Sequence, residues 1–322
     1  MDDVVIPPFD ALPTLPQSGL KHAWDVWGRG DNLGTLNRLT GPAVAAAALS
    51  CVRTGERIGL SLPLGLPDPP FFGRKGFRHG FVPMGPSAWD DWIDGLYLQC
   101  SSQWDGLRHV GSADGWYGGW RGQPGEDPEP LGIHHWAERG IIGRGVLVDL
   151  TRSPRATGGS GGYDPFTRVA FEPDDIAGAL RAQGTEVNDG DILCVRTGWT
   201  DRYLDLDREG RAALAAGMQQ VTGYTSAGLA GTEGMARFLW DSGVAAVACD
   251  NPAVEVVPGD PAQGSLHGRV IPGLGLAIGE LFSFGALGAA CADQGRYEFL
   301  FTSVPLNVTG AVGSPANAVA VL

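Results

Sequence analysis

Residues 191–198 read DILCVRTG, an apolar run that opens at an aspartate and closes at Thr197 and Gly198. It lacks the polar alternation of a half-exposed strand. It therefore predicts a strand covered on both faces, the situation of a parallel sheet packed between helices. GVLVDL at 145–150 and VAAVACD at 244–250 repeat the pattern on either side. Helical stretches lie between them: DDIAGALRAQG (174–184) has Asp174 as its capping residue and Gly184 as its stop, and TEGMARFLWDSG (232–243) runs from Thr232 to Gly243. Alternation of strand and helix in this order predicts an α/β fold.

Farther out, AVAAAALSCV (43–52) predicts a helix capped by Thr40 with Pro42 in its first turn, and ERIGLSLPLG (56–65) a strand bounded by Pro63. Residues 65–90, rich in glycine, proline and aromatics, read as a long ordered loop; loops of that length in compact domains are usually lids or binding loops. Fifty glycines and 23 prolines in 322 residues favour tight turns and Gly-rich loops. No linker, charge run or repeat divides the chain, which predicts one domain over residues 1–322.

Hydrophobic residues make up 43% of the chain and charged residues 18%, the balance of a folded protein with a sizeable core. Acidic residues outnumber basic ones by 36 to 23, a net charge of −13. Such a surface repels phosphate backbones and anionic lipid, which argues against nucleic-acid and membrane partners and leaves a small-molecule substrate. Five scattered cysteines without a CxxC predict neither a disulfide framework nor a thiolate metal site, and fit a reducing, cytoplasmic setting. MDDVVIPPFD lacks the apolar run of a signal peptide. The nearly uncharged residues 270–291, interrupted by Pro272 and Glu280, read as buried core rather than a membrane span.

Chemistry concentrates in LYLQCSSQWDGLRHVGS, residues 96–112. If residues 99–105 run extended, Gln99, Gln103 and Asp105 share one face. A glycine-containing turn then carries the chain from Asp105 to His109. Aspartate offers an anionic oxygen, glutamine a neutral one, and imidazole either a metal ligand or a proton carrier near neutral pH. Taken alone, these residues leave a purely structural Asp105–His109 pair open. Downstream, LHGRVIPGLGLAIGELF (266–282) sets His267 and Glu280 in apolar surroundings, where a carboxylate is costly unless paired or coordinated. Two histidines, two carboxylates and one or two glutamines together suit Zn²⁺ or Mn²⁺ and leave room for water.

The chain resembles the metal-dependent hydrolases of the Putative cyclase family, which includes bacterial kynurenine formamidases, isatin hydrolases and a trans-dienelactone hydrolase. The likeness runs through WGRGDNLGTLNRLT (27–40), SSQWDGLRH (101–109), GIIGRGVLVDL (140–150), GDILCVRTGW (190–199), AVACDNPAVE (246–255), LHGRVIPGLGLAIGEL (266–281) and YEFLFTSVPLNVTGAVGSPANAVA (297–320). The family hallmark is HxGTHxDxPxH. Its register puts Asp105 and His109 on the last acidic and histidine positions, and Gln99 and Gln103 where the first two histidines stand. Two neutral glutamines imply one cation rather than two, in a glutamine-bearing branch of the family. By the same register His267 and Glu280 resemble the distal pair of the metal site, thirteen residues apart here, one more than in the histidine branch.

The resemblance implies an α/β fold of the swivelling β/β/α type around a mixed, barrel-like sheet, assembled as a homo-oligomer (dimer or tetramer). It implies hydrolysis of a lactone or amide, or ring closure at the same site. One Zn or Mn ion would be held by Gln103, Asp105, His267 and Glu280. His109 would be the proton-transferring group, and Gln99 a ligand or a substrate contact. Trp104 and Arg108 flank the cluster, where Trp104 could wall an aromatic substrate and Arg108 hold a carboxylate, or each could be a scaffold contact.

Other signals compete. GGSGG (158–162) matches the G-x-S-x-G of serine hydrolases around Ser160, but YDPFTR after it is a poor helix start, so it reads as a loop. His134 and His135 are adjacent, and neighbouring side chains are expected to point apart. Asp90 and Asp91 read as a solvated turn, Gly34, Thr35 and Asn37 as turn formers. Asp250 and Glu255 follow a buried strand, where ligand sites often lie, or form an ion-paired loop. Ten tryptophans and twelve phenylalanines could instead line the pocket of a non-catalytic binder.

Overall fold

The computed structural model describes residues 4–157, 162–219 and 223–322. Ser160 lies outside them. Nine strands form one mixed sheet: β1 (Arg57–Gly59), β2 (Gln103–Asp105), β3 (Ile141–Asp149), β4 (Ile192–Arg196), β5 (Ala246–Cys249), β6 (Ala277–Glu280), β7 (Glu298–Ser303), β8 (Gly313–Pro315) and β9 (Ala318–Val321). Their spatial order is β1-β9-β7-β3-β4-β5-β6-β2-β8. The three pairings within β3-β4-β5-β6 are parallel and the remaining pairings antiparallel. The three apolar runs read from the sequence are the parallel centre. Burial on both faces explains their lack of alternation.

The sheet curls. β8 lies at one edge and β9 next to the other, yet only Ala316 and Asn317 separate them in the chain. A bridge between Ser61, just past β1, and Phe282, just past β6, closes the same gap. The barrel-like mixed sheet expected from the family resemblance is present. Side chains divide by strand alternation: Val146, Val148, Leu193 and Val195 meet the helices Pro173–Gln183 and Glu233–Asp241, whereas Leu147, Cys194, Trp104, Phe299 and Phe301 fill the inside of the curl.

Several local expectations are corrected. The helix Pro42–Ser50 is capped by Gly41 at φ 102°, not by Thr40, whose hydroxyl turns back to the Asn37 carbonyl. The helix Pro173–Gln183 is capped by Glu172 in a reciprocal box with Asp175, so Asp174 is already inside the first turn. Thr232 caps Glu233–Asp241 as expected, accepting from the Met235 N–H. The long loop is not loop throughout: Arg78–Gly85 and Ala88–Asp94 pair as an antiparallel hairpin with Phe81, Met84, Trp89 and Ile93 exposed. Asp90 and Asp91 belong to its second strand, and Asp91 pairs with His79. Turn formers at 34–37 do close work. The Gly34 φ is +60°, and a Cβ there would lie 2.0 Å from the Gly275 carbonyl oxygen.

Among the described residues no helix is long and apolar enough to cross a membrane. All five cysteines are free and buried.

Candidate active site

Two antiparallel neighbours set the site. β2 and β6 pair so that Gln103 faces Glu280, Trp104 faces Gly279 and Asp105 faces Ile278. With a two-residue period, Gln103, Asp105 and Glu280 emerge on the helix-covered face and Trp104 on the inside of the curl. Gly279 is required where Trp104 crosses it, because a Cβ would come within 2.9 Å of that ring and 2.6 Å of Phe282. The short helix Leu266–Arg269 then brings in His267. Ser265 caps it by accepting from the Gly268 N–H, and buried Leu266 anchors it.

The side chains converge. His267 Nε2 lies 3.0 Å from Glu280 Oε1 and 3.7 Å from Asp105 Oδ2. Gln103 Nε2 donates to Glu280 Oε2 at 2.8 Å and to Asp105 Oδ1 at 3.3 Å. His109 Nε2 stands 3.8 Å from Asp105 Oδ1, and its Nδ1 is 3.5 Å from Gln99 Nε2. Between His267 and Glu280 the chain makes a π-helical turn, Val270–Leu274, ending at left-handed Gly275. A π turn takes one residue more than an α turn and is common at functional sites.

Charge in the cluster is lopsided. Burial alone would raise the Asp105 carboxyl, but His109 and His267 outweigh it and hold it below the usual carboxylate range. Burial and the Asp105 charge push Glu280 up. Burial works against a charged His267 ring, yet the Asp105, Glu255 and Glu280 carboxylates around it carry it well above the usual imidazole value. Two buried oxygens, Gln103 Oε1 and Asp105 Oδ2, have no hydrogen-bond partner among the described residues. Asp105, His267 and Glu280 offer ligand atoms all within 4.8 Å of one another. An orphaned carboxylate oxygen on Asp105, crowded by Glu280 and His267, fits a divalent cation, which would satisfy it.

Glu255 joins the site, and Asp250 does not. Glu255 Oε1 is 3.1 Å from His267 Nδ1, and its Oε2 accepts from the Leu266 N–H. It therefore fixes the ring so that Nε2 faces the cluster, the carboxylate–histidine support usual behind a metal ligand. Asp250 is spent on the Thr197 N–H and hydroxyl and the Gly198 N–H, each at 2.7 Å, and burial raises its carboxyl to about 7. Glu255→Gln is expected to lower cation affinity by about tenfold or more while the fold stands. Competition against a chromogenic chelator measures this, and parental affinity in the variant would deny Glu255 the role.

Two expected substrate contacts, Trp104 and Arg108, are scaffold residues instead. Trp104 is fully buried, packed edge-on against Phe282 and Phe301 with its indole N–H on Ser303 Oγ. Strand alternation sends it away from Gln103 and Asp105. Arg108 is also buried, stacked 4.5 Å from the Trp120 centroid and donating to the Pro128 and Asp127 carbonyls. Gln99 does reach His109, but from a turn: only Gln103–Asp105 is extended, so the shared-face argument does not place it.

A second group, Glu129, His134 and His135, also clusters, and the rings of His134 and His135 lie with centroids 4.0 Å apart, tilted by 36°, instead of pointing apart. There His134 Nδ1 accepts from the Gly310 N–H, so the neutral ring carries its proton on Nε2, the nitrogen facing Glu129. That tautomer is a poor metal ligand.

The fold is a curled mixed sheet with helices outside it, and its buried cluster joins carboxylates on β2 and β6 to the His267 imidazole. The sequence profile of the Putative cyclase family matches residues 59–256, and the chain belongs to that family. A crystal structure described as a novel cyclase shares 31% identity, covering 94% of this chain and 99% of its own, with a TM-score of 0.78. An isatin hydrolase bound to the product analogue thioisatinate is 17% identical over 87% of this chain and 96% of its own, TM-score 0.56. Isatin hydrolase A from Labrenzia aggregata is 18% identical over 89% and 98%, TM-score 0.52. These two share the fold. No curated protein matches the chain.

Proposed function

We propose that the protein is a hydrolase that opens a lactone or a cyclic or aryl amide, using one divalent cation, zinc or manganese, held by Gln103, Asp105, His267 and Glu280. The carrying observation is the buried Asp105 Oδ2, which has no hydrogen-bond partner among the described residues and lies 3.7 Å from His267 Nε2, itself 3.0 Å from Glu280 Oε1. Three oxygen donors and one imidazole, with no thiolate, suit these ions. When bound, the cation would polarise the carbonyl and lower the pKa of a water from 15.7 toward ~7.

The remaining work belongs to the chain. His109 stands at the exposed side of the cluster, where its ring can take the proton from water as the oxygen bonds to the carbonyl carbon. The same ring returns the proton to the departing nitrogen or oxygen as the C–N or C–O bond breaks. Asp105 Oδ1 lies 3.8 Å from Nε2 of the same ring. Gln99 sets the tautomer: turned so that its amide oxygen faces Nδ1, it accepts the Nδ1 proton and leaves Nε2 as the base. Ring closure is the reverse of the same bond changes.

Chelator-stripped protein is expected to lose hydrolysis of an activated lactone and of an N-aryl formamide, and to regain it with one equivalent of Zn²⁺ or Mn²⁺. Full turnover in stripped protein would sink this assignment. Covalent labelling by an organophosphate would then shift the chemistry to Ser160.

A further inference from the structure

We propose that Arg74 and Tyr224 form an anion subsite beside the cluster, which holds a carboxylate of the substrate or product. The inference rests on the hydrolase assignment above and names its ligand class. Arg74 ends a tightly fixed segment of the long loop. Phe71 is buried against Trp199 and Tyr203, the Phe72 N–H donates to the Met218 carbonyl at 2.9 Å, and Phe72 and Gly73 both take left-handed backbone at φ 60° and 69°. A non-glycine residue in that region signals a conformation maintained by its surroundings, and such residues cluster at ligand sites. The turn delivers the Arg74 guanidinium 5.1 Å above the Phe72 ring, with Nη1 donating to the carbonyl of Gln99, the residue that touches His109. No other hydrogen bond holds this guanidinium among the described residues.

Tyr224 completes the pair. Its ring packs on Phe72 with centroids 5.9 Å apart, and the residue is 8% exposed. Its hydroxyl is buried without a hydrogen-bond partner among the described residues. Burial, then the nearby Glu280 and Glu255 carboxylates, push this phenol up, while Arg74 pulls it down. It stays a protonated donor.

A guanidinium and an unsatisfied phenol thus share one aromatic platform, the Phe72 ring. Both are donors, and one is a permanent cation. A neutral carbonyl would leave that charge unmatched, whereas a carboxylate accepts from both. Hydrolysis of a lactone or amide makes such a group, and a substrate can also carry one.

The test is calorimetric titration of the cation-loaded full chain with benzoate, and with benzamide as the uncharged control. Arg74→Gln is expected to weaken benzoate about tenfold, Arg74→Lys to recover part of that loss, and Tyr224→Phe to weaken it several-fold; benzamide binding stays unchanged. Equal benzoate affinity in the parent, Arg74→Gln and Tyr224→Phe proteins, all with full cation content, would overturn the subsite. So would parent protein that binds no benzoate. Parent protein that takes up no cation fails the hydrolase assignment instead. Turnover separates the two sources. A KM increase in Arg74→Gln confined to carboxylate-bearing lactones assigns the subsite to the substrate. Weaker product inhibition with neutral lactones assigns it to the product.

Discussion

Asp105→Asn is expected to weaken cation binding by more than a hundredfold, about 3 kcal/mol, while the protein stays folded. The side chain is fully buried and nearly isosteric with its replacement, so packing is preserved. What disappears is one anionic ligand, including the oxygen Oδ2 that no group of the described chain satisfies. In the cation-free protein the same change removes one of three crowded carboxylates around His267, so the fold is not put at risk. Chelator competition gives the affinity and thermal unfolding the control. Binding within fivefold of the parent would show that the cluster is a structural ion-pair network. The pH dependence follows from the raised His267 value. A cation at Nε2 must displace a proton, so parental affinity strengthens as pH rises above the ordinary imidazole range.

His109→Gln should separate binding from chemistry. Its N–H donates to the Gly106 carbonyl, and Gly106 itself donates to the Val312 carbonyl beside β8. A Cβ at 106 would lie 2.9 Å from that carbonyl oxygen, so the turn needs glycine. Buried Arg108 pins the turn from its other side. His109 is therefore rigidly placed at the mouth of the cluster without being needed to build it. The substitution is expected to lower kcat by about 10²–10⁴ with cation content unchanged. Turnover within threefold of the parent would place the proton transfer elsewhere.

How much of this was legible in the sequence varied with the range of the interaction. Local signals did well: the apolar runs at 145–150, 191–198 and 244–250 are strands, and Thr232 is the cap of its helix. The meeting of Asp105 with His267 and Glu280 depends on β2 lying beside β6 at a separation of more than 170 residues. Periodicity carries no information about that pairing; only the family likeness suggested it. Trp104 was misplaced because alternation tells which residues share a face but not which face is core. Arg108 was misplaced because a cation in a polar run reads as exposed, while its carbonyl partners lie about twenty residues on. Arg74 and Tyr224 escaped notice, since neither sits in a motif, although residues 65–90 were marked as a binding loop. For Glu255 the sequence allows two roles, and its contacts with the Leu266 N–H and His267 Nδ1 come from the fold.

The link of two residues between β8 and β9 has a consequence for biosynthesis. β2, which carries Gln103 and Asp105, lies between β6 and β8, and β8 is formed by residues 313–315. During translation that strand waits with one flank bare until some two hundred further residues have left the ribosome. That waiting edge is the place where a chaperone would have most to protect.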